Sequence, residues 1–110
     1  IDLPINPIIF DDAVVGVLQI ADLKIRNLGT GDLEVRYIHV ADSAGHVVSA
    51  DDWSGTIVPD DIAILPNAVQ ATCIDAISVL GVLEISSNDP DEHKVPVDVL
   101  VNCIAVGTEE

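Results

Sequence analysis

On either side of the cluster Asn88-Asp89-Pro90-Asp91, apolar and polar residues alternate with a period of two. Leu83 and Ile85 alternate with Val82, Glu84 and Ser86 upstream; Val95, Val97 and Val99 alternate with Pro96 and Asp98 downstream. Successive side chains of a strand point to opposite faces, so this pattern marks two half-buried strands joined by a polar hairpin loop. The register is tightly constrained. A slip of one residue would turn all five aliphatics out to water.

The same reading extends along the chain. "IDLPINPIIF" alternates Ile1, Leu3 and Ile5 and restarts at Ile8 after Pro7, which predicts an edge strand that breaks and resumes. Ala21, Leu23 and Ile25 share one face of a second strand, with Asp22, Lys24 and Arg26 on the other. Asn27 to Asp32, "NLGTGD", supplies a turn. In "DLEVRYIHVAD", Leu33 and Val35 fall on one parity and Ile38 and Val40 on the other, so a β-bulge at Arg36 or Tyr37 is expected to realign them.

"SAGH" turns the chain again, His46 to Ala50 reads as a short strand, and "ADDWSG" as a polar connection carrying Trp53. Ile62 to Leu65 reads as extended, "PNA" as a turn, and Val69, Ala71 and Cys73 as one inward face. "AISVLG" connects to the hairpin, whose second strand continues to Cys103. No segment keeps a capped helical period. About seven short strands with frequent turns predict an all-β antiparallel sandwich. It is expected to span residues 1–105, with 106–110 as a tail or linker.

A chain of 110 residues is expected to form one domain that buries about two thirds of its unfolded surface. Because 49% of its residues are apolar, it is not a disordered acidic chain. Only Phe10, Tyr37 and Trp53 are aromatic, so the core must come from Val, Ile, Leu and Ala. Nineteen acidic residues against four basic ones give a net charge of −15, which disfavours nucleic acid and anionic membrane surfaces as partners. No stretch is long and apolar enough to span a bilayer. A start at Ile1, with no export signal, predicts a processed chain or an excised domain.

Several segments, in order, resemble the choice-of-anchor and ASH (Hydin-like) immunoglobulin-like domains, relatives of major sperm protein and the PapD-like sandwiches. They are "IIFDDAVVG", "LKIRNLGTGDLEVRYIHV", "ILPNAV" and "GVLEISSNDPDEHKVPVDV", with "SSNDP" the sharpest; together they cover Phe10 to Val101. The resemblance implies a seven-stranded sandwich that serves as a spacer, anchor or protein-binding module, without catalytic residues. It gives Asn27 and Gly29 a turn, Gly81 a crowded strand start, and Asn88, Asp89 and Pro90 the hairpin loop. Cys73 stands where such domains carry an aromatic residue, and the resemblance is silent on both thiols.

Cys73 and Cys103 fall on the apolar parity of their strands, as two buried thiols or as a disulfide. Assignment to opposite sheets with a diagonal offset counts against the bond; export would favour it. His39, His46 and His93 are scattered, and no paired Cys/His spacing predicts zinc. Asp11-Asp12, Asp51-Asp52, Asp60-Asp61 and Asp89-Asp91-Glu92 supply carboxylates but no calcium-loop array. Trp53 is expected to cap the open end of the core.

The leading expectation is a non-catalytic structural or protein-interaction module with no cofactor. It would be one bead of an extracellular, cell-surface or periplasmic protein, a stalk or a filament. Its partner would be a protein, or a second copy joined through strand addition by the proline-broken first strand. The alternative is a calcium- or ligand-binding module that uses the acidic loops.

Overall fold

The computed structural model describes residue 3, residues 6–90 and residues 93–106. Among them are eight strands: β1 (Ile8–Val14), β2 (Leu18–Arg26), β3 (Leu33–Asp42), β4 (Val48–Ala50), β5 (Gly55–Ile57), β6 (Ile62–Thr72), β7 (Ser78–Ser87) and β8 (Lys94–Ile104). They form a five-stranded sheet, β1-β8-β7-β3-β5, facing a three-stranded sheet, β2-β6-β4. The fold is the expected all-β immunoglobulin-like sandwich.

The alternating aliphatics line the space between the sheets. Leu23, Ile25 and Val69 of one sheet meet Ile38, Leu83, Ile85, Val97, Val99 and Val101 of the other, all essentially solvent-free. Each such side chain contributes about 1.5–3 kcal/mol by leaving water. The β7–β8 hairpin pairs Leu83 with Val97 and Ile85 with Val95, the alignment that the alternation requires.

Two bulges keep this face continuous. In β3 the pairing with β7 skips Arg36, which puts Leu33, Val35 and Ile38 all in the core, as the parity change predicted. In β1 the register shifts between Phe10 and Ala13, where Asp12 adopts a φ of 53°, and Ala13 is thereby buried beside Ile8 and Phe10.

Several local expectations are corrected. Strand β5 was not foreseen; its three residues pair Leu33 to Val35 and extend the five-stranded sheet. "PNA" is no turn. β6 runs straight through it, with Asn67 at a φ of 55° and extra residues bulged opposite Asp22. "AISVLG" is no mere connector, because β7 already begins at Ser78. His46 has a φ of 70° in the turn, so β4 starts at Val48.

Gly81 lies inside β7 rather than at its start. A Cβ there would sit 2.7 Å from Val48 Cγ2 and 3.1 Å from the Asp42 carbonyl oxygen. β1 pairs with β8 in parallel, whereas the other pairings are antiparallel. It is the edge strand expected after Pro7, but its earlier half, with Ile1 and Ile5, lies outside the described residues. So do Asp91, Glu92 and tail residues 107–110.

Candidate interaction surface

The Cα trace is a rod of 54 × 21 × 17 Å. At one end, Asn27 is 3% exposed, although asparagine is usually a surface residue. Its Nδ2 donates to the carbonyls of Ile57 and Gly31, both at 2.8 Å, and its Oδ1 accepts from the Gly29 N–H at 2.9 Å. Asn88 of the hairpin loop reaches the same end: its Oδ1 accepts from Glu34 N–H and its Nδ2 donates to the Asp32 carbonyl. The hairpin loop is therefore anchored to the turn from Asn27 to Asp32, across a hollow of about 550 Å³.

At the opposite end Cys73 and Cys103 are joined by a disulfide, with Cα atoms 5.9 Å apart. The bond links the end of β6 in one sheet to β8 in the other. The diagonal offset thought to oppose it is removed by the β1–β2 turn. There, Val15 N–H donates to the Ile104 carbonyl and Gly16 N–H to the Cys73 carbonyl, both at 3.0 Å, which draws the two sheets together.

The acidic side chains are dispersed along the rod, and several of them accept hydrogen bonds from backbone or side-chain N–H groups. Where β3 extends beyond short β5, the N–H of Ile38 donates to Asp52 Oδ1 at 3.0 Å. Asp61 accepts from Ile62 N–H, Asp42 from Ala44 N–H, and Asp11 from the Asn102 amide. Among the described residues no three His, Cys, Asp or Glu side chains gather as a metal site. His39 stacks on Tyr37 at 4.8 Å, and both reach Glu84 on the open face of the five-stranded sheet; His46 and His93 lie in separate loops. Trp53 is half-buried against the core and the side chain covers Gly55. No helix among the described residues is long and apolar enough to cross a membrane.

The surface that sequence reasoning missed is the outer face of the three-stranded sheet. It exposes Leu18 (61%), Ile20 (51%), Ile64 (53%) and Ile62 (38%). Lys24 pairs with Ile64 and Arg26 with Ile62, so two of the chain's four cations stand among these aliphatics. Asp22 is the single acidic residue in β2, β4 and β6 together. On a chain of charge −15 this face is exceptional. The available signal was "IAIL" (62–65), in which both parities are apolar.

No family model matches the sequence, and no curated protein is significantly similar to it. The fold is that of known structures. A human CEP192 domain described as ASH/PapD-like (PapD-like domain 7) superposes with a TM-score of 0.66 over 94% of this chain and 84% of that one, at 14% identity. A protein of unknown function from Porphyromonas gingivalis gives a TM-score of 0.61 at 19% identity, over 83% of this chain and 44% of that one. The chain thus shares the immunoglobulin-like sandwich fold of that ASH/PapD-like domain.

Proposed function

We propose that the chain is a non-catalytic protein-interaction module, one bead of an exported surface, stalk or filament protein. The observation that carries this reading is the apolar, cation-bearing outer face of β2 and β6. Exposed aliphatics clustered on one face of a strongly charged protein mark a contact surface rather than solvated skin. Two further features support it. The Asn27, Asn88 and Asp52 side chains are bound to backbone groups. A cross-sheet disulfide suits an oxidising compartment.

The test is capture on the immobilised, oxidised domain from an extract of its source cells, with free domain as competitor. A discrete, saturable set of proteins released by the competitor is expected. Absence of any saturable protein partner, together with absence of self-association, would overturn the reading. Calorimetry with calcium provides a second arm. Millimolar calcium is expected to give neither heat nor a higher melting temperature, and a saturable heat would favour the ligand-binding module instead.

A further inference from the structure

We infer that two copies of this chain join edge to edge through β2, antiparallel about a two-fold axis at Leu23, into one continuous six-stranded sheet. The inference rests on the interaction-module reading and names its surface and partner. Four strands end the two sheets: β1, β5, β2 and β4. β4 and β5 have three residues each, and β1 is interrupted by the bulge at Asp11 and Asp12. β2 has nine residues in one run, because the irregularity in its ladder lies in β6. Among the described residues no strand pairs with its outer edge. Such an edge is a template for another strand unless it is blunted.

Charge selects the register. Inward Leu23 and Ile25 must stay inward, so only registers that keep the two faces distinct are allowed. An axis at Asp22 sets aspartate against aspartate, an axis at Lys24 matches Asp22 with Arg26 but sets lysine against lysine at its centre, and an axis at Ile25 sets Lys24 against Arg26. An axis at Ala21 puts Asp22 and Lys24 opposite Ile20 and Leu18 and Arg26 opposite Gly16, so no charge meets its opposite. The axis at Leu23 places Asp22 opposite the partner's Lys24, and Lys24 opposite the partner's Asp22, on the exposed face. It also lays Ile20 along the methylenes of the partner's Arg26, and brings Leu18 level with the partner's Leu28, each being more than half exposed in one copy. A two-fold contact is self-complementary by symmetry, so this one charge pair forms twice from one strand sequence. This is the approach by which two bodies of charge −15 meet through neutral or matched groups.

Sedimentation equilibrium of the oxidised chain, from micromolar to millimolar, is expected to show a reversible dimer. Asp22→Lys alone or Lys24→Asp alone should weaken it about 30-fold, because two attractive cross-strand pairs become two repulsive ones. An equimolar mixture of the two variants should recover wild-type affinity as a heterodimer, since every facing pair is opposite again. Lys24→Asp leaves the bond from Asn67 N–H to Asp22 Oδ1 untouched, so its loss of dimer is not a loss of fold. A chain that stays monomeric at millimolar concentration would overturn the inference, and so would single reversals without effect or a mixture that fails to recover. A monomer that still captures a saturable partner would leave the interaction-module reading standing.

Discussion

Replacing Asn27 tests whether one buried amide holds the hairpin-loop end together. Its side chain makes three hydrogen bonds, and its own backbone makes two more, from Asn27 N–H to the Asp61 carbonyl and from Asp60 N–H to the Asn27 carbonyl. β2, the turn before β6 and the end of β5 therefore meet at this residue. Asn27→Ala keeps the backbone bonds and removes the other three. The Ile57 carbonyl is left buried without that donor, which costs about 1–2 kcal/mol; the Gly31 carbonyl and Gly29 N–H lie nearer to water and cost about 0.5–1 kcal/mol each. The sum is about 3 kcal/mol, or roughly 12 °C in melting temperature for a domain of this size.

Asn27→Asp is nearly isosteric yet should be worse at neutral pH. It keeps the acceptor for Gly29 but turns a carboxylate oxygen towards two carbonyls. Burial and those carbonyls hold the introduced carboxyl's folded-state pKa above its unfolded value. Its penalty is therefore full above the folded-state pKa and shrinks as pH falls towards about 4, where the protonated group can donate again. Trp53 is the single tryptophan, so urea unfolding followed by its fluorescence reads the transition from one site. An Asn27→Ala loss below about 0.5 kcal/mol, or an Asn27→Asp variant more stable than the alanine at neutral pH, would refute this account.

Three further outcomes are expected. Cys73→Ser with Cys103→Ser opens a loop with a sequence separation of 30 and should lower stability by about 3.5 kcal/mol in the chain-entropy model; urea midpoints of the two forms check it. Gly81→Ala should cost about 1–3 kcal/mol by overpacking, because the Asp42 carbonyl that crowds its Cβ is backbone and cannot rotate away. Gly81→Ala with Val48→Ala should recover part of that loss, as a double-mutant cycle would report. Leu83→Ala, at a fully buried position between the sheets, should cost about 2–5 kcal/mol in thermal or urea unfolding, whereas Leu80→Ala on the outer face should change stability little.

The sequence by itself determined which residues face inward. A strand has a side-chain period of two, so the parities of Leu23, Ile25, Leu83, Ile85 and Val97 fixed their faces. The parity break between Val35 and Ile38 located a bulge before any strand was paired. Alternation is a local property, and local properties are written in the chain. It was blind wherever both parities are apolar: Ile62 to Leu65 carry an inner and an outer face of similar character, and only the pairing with Lys24 and Arg26 shows which side is wet. It also mistook Pro66 to Ala68 for a turn, because proline and asparagine suit a bulge in a long strand as well as a reversal of the chain.

What only the tertiary structure decided was proximity. Asn88 bonds to Glu34 N–H from 54 residues away, Asp52 bonds to Ile38 N–H, and Cys73 reaches Cys103 across two sheets. Which strand lies at an edge is likewise invisible to periodicity. An edge is defined by the absence of a neighbour, and that depends on how the remaining strands divide between the layers.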